Sequence, residues 1–164
     1  MIVHTRNMAE KRNPLGPTGD AVRANVERLR QAQNLGYAKL AAVLKETGRE
    51  IPDLGLRRIE SGDRRVDVDD LLALAVALGV SPITLLMPAV HSAEPQDHVE
   101  ASAVPVPITA EHLWGWLKAA YPLGEMSMLA FADRSWPRWE RENRTAQVTA
   151  ARKKIDDQLY GRRM

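Results

Sequence analysis

Between residues 18 and 87 the apolar positions recur at helical spacing, in short runs closed by glycine or asparagine. Val22, Val26 and Leu29 follow i, i+4, i+7, with Thr18 or Asp20 available as a cap and Asn34 and Gly36 as the stop. Tyr37, Leu40, Ala41 and Leu44 make a second stripe that ends near Gly48. After "REIP", Pro52 or Asp53 opens a third helix with Leu56 and Ile59 inward and Gly62 as its stop. Asp67 caps a fourth, whose expected buried stripe is Val68, Leu71, Leu72 and Ala75, ended by Gly79. Ser81-Pro82 opens a fifth that stops before Pro88. No strand alternation competes, so the pattern predicts an all-α, five-helix domain over residues 18–87.

The flanks read differently. Residues 1–17 hold Arg6, Lys11, Arg12 and then "NPLGPTG", whose prolines and glycines oppose regular structure. They are expected to form a flexible arm, either one that reaches into a DNA groove or a plain disordered terminus. Residues 88–108 carry Pro88, Pro95, Pro105 and Pro107, with Glu94, Asp97 and Glu100 and no lysine or arginine, and read as a linker. Helical spacing returns at 109–164: Thr109 caps a segment with Leu113, Trp114, Leu117 and Tyr121, and further stretches follow from "EMSMLAFAD" onward. All four tryptophans (114, 116, 136 and 139) lie here, which a disordered tail would not carry. A smaller C-terminal helical module is expected, with the tryptophans in its core.

Composition narrows the chemistry. With 45% hydrophobic and 27% charged residues the chain is globular rather than disordered. It has no cysteine, so disulfides and thiolate chemistry are excluded. The longest apolar run, "LLALAVALGV", is far short of a bilayer span, and no signal peptide pattern opens the sequence. A cytoplasmic, nucleoid-associated protein without a membrane partner is expected. His4, His91, His98 and His112 have no metal-ligand spacing, and neither a glycine-rich phosphate loop nor HExxH occurs. No catalytic residues, metal or cofactor are expected, and Asp69-Asp70 read as first-turn acids of a helix.

Net charge is only +2, so the placement of charge says more than its sum. Residues 53–72, "DLGLRRIESGDRRVDVDDLL", hold two arginine pairs seven residues apart. With Leu56 and Ile59 inward, Asp53, Leu54, Arg57 and Arg58 share the outer face of the third helix. Arginine reads guanine O6 and N7, aspartate accepts from cytosine N4, and leucine touches a thymine methyl, so this set suits base reading in a major groove. Arg64 and Arg65 lie beyond Gly62, where they would lie near backbone phosphates. Two solvated doublets with local salt bridges are the plainer alternative.

The strings "VRANVERLRQAQNLGYAKLAAVL", "LRRIESG" and "VDVDDLLALAVALGVSPITLL" resemble the phage Cro and lambda-repressor-like helix-turn-helix family, also called XRE. Wording such as "PDLGLRRIESGDRRVDVDDLLALAVALGVSP" is most similar to actinobacterial and actinobacteriophage members, immunity repressors included. The resemblance spans residues 20–87. It implies that residues 37–47 form the first motif helix and 53–60 the recognition helix, with Asp53, Leu54, Arg57 and Arg58 at or beside base-reading positions. It implies that Tyr37 touches the DNA backbone, with Lys39 and Ser61 as further backbone candidates, and that Arg30 and Glu60 tie the first helix to the recognition helix. One departure stands out: "LKETGREIPD" joins the motif helices with several more residues than phage repressors use, leaving room for the recognition helix to shift.

Residues 133–164 hold nine basic residues against five acidic ones. Arg134, Arg138, Arg141 and Arg144 are candidates for a second DNA contact, and dimerisation is the competing role for the module. The function expected is a sequence-specific transcriptional regulator, most simply a repressor occupying double-stranded operator DNA, as a homodimer or as a monomer with two DNA-contacting modules. The alternative is an antitoxin-like regulator whose C-terminal helices bind a protein partner.

Overall fold

In the computed structural model, residues 14–104 and 107–160 are described, the last six without their side chains. The arm expected over residues 1–17 falls outside the described residues as far as residue 13. Among the described residues the chain forms eight α-helices and one two-stranded sheet, an all-α fold. It divides into two compact units, one reaching Ala110 and the other starting at Glu111.

The first unit begins with α1 (Pro17–Ala32), α2 (Tyr37–Glu46), α3 (Asp53–Glu60), α4 (Val68–Ala77) and α5 (Pro82–Leu86). Each starts where local chemistry permits. Asp67 accepts a hydrogen bond from the Asp70 backbone NH at the head of α4, as its N-cap position predicts. At the head of α1, by contrast, neither Thr18 nor Asp20 is the cap. Gly16 holds that place and Pro17 supplies a preset φ in the first turn. Thr18 instead exchanges hydrogen bonds with Ser102, and Asp20 accepts from Arg23. The turn that ends α3 puts Gly62 at φ 81°, a conformation that disfavours any side chain.

The core of this unit gathers Val22, Val26, Leu40, Leu44, Ile51, Leu56, Ile59, Leu74 and Leu85. Asn25 is buried among them because α5 ends there: its Nδ2 donates to the carbonyls of Thr84, Leu85 and Met87, which have no helical partner of their own. Of the stripe expected on α4, Ala75 is buried and Leu71 packs against the core, but Val68 and Leu72 do not. Val68 and Leu72 are 76% and 54% exposed, while Ala73, Leu74, Ala75 and Leu78 are buried. Asp70 lies on the buried face, one turn before Ala73 and Leu74.

Residues 88–108 are more than a linker. They contain β1 (His98–Val99), paired antiparallel with β2 (Ile108–Thr109), and the Ala110 NH donates to the Asp97 carbonyl. Val99 is buried, and the Thr18–Ser102 pair ties the segment to α1. Strands of two residues are too short to show alternation in a sequence.

The second unit comprises most of α6 (Ala110–Leu117), then α7 (Met128–Ser135) and α8 (Arg138–Tyr160). Tyr121 folds back along α6, its hydroxyl donating to the Glu111 carbonyl and its ring edge-on to His112. Trp136 Nε1 donates to the Ala119 carbonyl, and Phe131 is buried. The tryptophans are not all core: Trp116 is exposed and Trp139 is 63% exposed. A unit of about 50 residues has little interior in which to hide four indoles.

Candidate nucleic-acid interface

Helix α3 is short, and its two sides differ completely. Leu56 and Ile59 have no exposed surface, and Gly55 and Glu60 are buried with them. Leu54, Arg57 and Arg58 are exposed and Asp53 is half-buried. The four residues expected to read bases therefore do share one outward face.

Behind that face lies an ionic cluster. Arg30 on α1 meets Glu60 with both prongs of its fork, Nε to Oε1 at 2.6 Å and Nη2 to Oε2 at 2.8 Å, and its Nη1 donates to the Leu35 carbonyl at 3.0 Å. Tyr37, the first residue of α2, donates its hydroxyl to Glu60 Oε2 at 2.7 Å. Three helices thus converge on one carboxylate that is 5% exposed. The hydrogen bond to Glu60 is the main reason the Tyr37 phenol is raised above its ordinary pKa, and the same carboxylate raises Arg30. Tyr37 is expected at the DNA backbone, and in the structure its hydroxyl is engaged inside the domain. What Tyr37 offers outward is its ring. The Arg30 and Arg57 guanidiniums lie 4.1 and 4.2 Å from its centroid, so Arg57 is braced by a cation–π contact.

Arg58 differs from its neighbour. Its side chain is exposed and makes no hydrogen bond or ion pair among the described residues. The same holds for Asp53 on α3 and for exposed Lys39 on α2. Ser61, expected at the backbone, donates to Asp63 Oδ2 at 2.9 Å.

The second arginine pair departs further from expectation. Arg64 does not extend outward toward where phosphates would lie. Its Nη2 sits 2.7 Å from Oδ2 of Asp70, a carboxylate that is 1% exposed. The other oxygen of Asp70 accepts from Arg49 Nε at 2.7 Å, and Arg49 Nη2 reaches Asp67 Oδ2 at the same distance. A buried carboxylate must keep its cations or its charge is left stranded, which holds Arg64 inward. The side chain of Arg65 is exposed and donates to the Pro14 carbonyl. Sequence periodicity missed this cluster because Arg49 lies in the joint between α2 and α3, where no period applies. That joint is anchored twice, by Arg49 and by fully buried Ile51.

In the second unit the arginines proposed for a further contact are mostly engaged close by in sequence. Arg138 pairs with Glu142, Arg141 with Asp133, and Arg144 with Glu140 while lying 4.5 Å from the Trp136 ring centroid. Arg134 is exposed and makes no such pair among the described residues.

Among the described residues no group of three or more His, Asp or Glu side chains is placed to hold a metal ion, and no helix is long and apolar enough to cross a membrane. Compared with protein-family models, with curated proteins and with solved structures, the chain matches none of them.

Proposed function

We propose that this chain is a sequence-specific DNA-binding regulator that represses transcription by occupying an operator with the outward face of α3 in the major groove. The observation that carries the reading is the state of the first arginine pair. Arg58 is exposed and unengaged, and Arg57 is held beside it on the Tyr37 ring, on a helix whose opposite side is wholly buried. An unpaired guanidinium on a rigid helix suits bidentate recognition of guanine, because little freedom is lost on contact. Lys39 supplies a phosphate contact from α2. A phage immunity repressor and a host regulator would use the same surface.

The test is selection of duplexes from a random pool by the full chain, followed by titration of wild type and Arg58→Ala on the selected and a scrambled duplex. Loss of one arginine–guanine contact should weaken the selected duplex by about 1–3 kcal/mol and the scrambled one little. Equal losses on both would remove α3 from the reader's role.

A second reading has its own observation. Trp116, Leu129 and Trp139 are exposed in the second unit, Leu129 by 83%, and large exposed apolar groups suit a protein partner. On that antitoxin-like reading the pool yields no preferred duplex, and Trp139→Ala releases a protein that otherwise co-purifies.

A further inference from the structure

The Arg49–Asp70–Arg64 cluster has a position that a stabilising ion pair does not need. Arg49 lies in the joint that enters α3, and Arg64 lies in the turn that leaves it. Both meet the same carboxylate, one on each oxygen, at the first turn of α4. The two ends of the proposed reading helix are thereby referred to one buried point. Arg64 also crosses the helix itself. A Cβ built on Gly55 would stand 2.7 Å from Arg64 Nη1 and 3.1 Å from Ile51 Cγ2, so the first turn of α3 is held between the guanidinium and the joint. Asp67 completes the assembly by capping α4 with one oxygen and pairing with Arg49 through the other. A joint of six residues between α2 and α3 would otherwise leave the helix free to slide.

We propose that Arg49, Asp70 and Arg64 are positioning residues that set the register of the α3 reading face, so that discrimination between DNA sequences depends on them and grip on DNA does not. This rests on the reading of α3 as the base-reading helix. It assigns Arg64 a task opposite to phosphate contact. A phosphate contact is indifferent to sequence, whereas displacing a helix by a fraction of an ångström spoils bidentate base contacts and spares the diffuse attraction to the backbone.

The experiment uses the full chain and a duplex that wild type selects from a random pool, with a scrambled duplex beside it. Arg64→Met, Arg64→Lys and Arg49→Met are titrated on both across a range of salt, below the melting temperature of each variant. Arg64→Met should lower the ratio of selected to scrambled affinity by about five- to a hundredfold, the worth of one or two base contacts, and leave the salt slope unchanged. Arg49→Met, which touches no residue of α3's outer face, should lower the ratio in the same direction, and Arg64→Lys should recover part of it. A loss shared equally by both duplexes, with the salt slope reduced by about one, would make Arg64 a phosphate contact and overturn the proposal. A lower melting temperature with the ratio intact would overturn it too, leaving the cluster merely structural. Should Arg64→Met not fold, Arg49→Met alone decides between these outcomes. If wild type enriches no sequence, the DNA-reading assignment of α3 fails first, and this proposal with it.

Discussion

The two units handle their charges in opposite ways. In the first, two carboxylates are buried among the described residues, and each is held by an arginine distant in the chain: Glu60 by Arg30, thirty residues earlier, and Asp70 by Arg49, twenty-one earlier. In the second, the paired groups stand in solvent or near it and are close in sequence: Arg138–Glu142 and Arg144–Glu140 are neighbours one turn apart on α8, and Arg141 on α8 meets Asp133 at the end of α7. The first kind of pair fixes one helix against another. The second kind, exposed and local, adds little to the placement of one helix on another. Precision of placement is therefore built into the unit that carries α3, whereas α8 is polar and largely exposed over residues 138–154.

The comparison breaks most visibly at Arg30. Removing the cation from a largely buried pair strands Glu60, at a cost of about 3 kcal/mol, the lower end of the usual range because the Tyr37 hydroxyl remains. Arg30→Ala should lower the melting temperature by many degrees and reduce binding of a selected duplex with it. Calorimetry or circular dichroism at matched concentration decides this. A melt identical to wild type would mean that the buried pairs of the first unit matter no more than the exposed pairs of the second.

Truncation comes next. Ending the chain after residue 110 keeps the β1–β2 pair, buried Val99 and the Thr18–Ser102 bonds, whereas ending it after residue 90 discards them all. Both forms should fold, since the five helices carry their own core, but the shorter should be less stable by about 1–2 kcal/mol, what one buried valine and two hydrogen bonds leave after the entropy of ordering the segment is subtracted. Denaturant midpoints measure the difference. The form ending at 110 and the full chain should share one salt slope on DNA, because most of the α8 arginines face carboxylates instead of being poised for phosphates. A steeper slope for the full chain would give the second unit a DNA contact of its own.

Much of this arrangement was legible in the sequence and some was not, for reasons that differ by residue. The limits of α3, the Gly62 stop and the Asp67 cap are local signals, each settled within a turn of chain. The Arg30–Glu60 contact came from the family resemblance, since nothing local links residues thirty apart. Asp70 is the first-turn acid of α4 that its position implies, but its burial was not legible, because such an acid is ordinarily a surface residue favoured by the helix dipole. Two arginines arriving from outside α4 make its burial tolerable, and neither is signalled by the spacing within α4. The engagement of Tyr37 was not legible either, because its partners Glu60 and Arg57 lie twenty or more residues away on another helix.

A smaller effect tests the other side of the comparison. Arg138 and Glu142 are both largely exposed, so their 2.7 Å contact is screened by water and loses side-chain entropy. Arg138→Ala should change stability by less than about 0.5 kcal/mol, with no detectable change in melting above that. A loss several times larger would show that α8 is held by its charges after all, and that the second unit resembles the first more than its exposure suggests.

The smallest effect concerns Asp67, which belongs to the first unit's network yet is itself exposed. Its carboxyl lies below the ordinary value chiefly because the Asp70 backbone NH donates to it, with Arg49 adding to the shift. A group whose pKa is depressed on folding contributes stability that is present above its unfolded value, near pH 4, and lost as pH falls through the folded one. Asp67→Asn keeps an oxygen that can cap α4 but cannot titrate. Wild type should therefore be slightly more stable than the variant above about pH 5, and the advantage should shrink as pH is lowered to about 3. Melting curves of the two proteins, taken side by side through that window, isolate this one residue because the other acids titrate in both. Parallel curves would mean that the charge on Asp67 does nothing for α4, and that the Asp70 cluster rests on Arg49 and Arg64 alone.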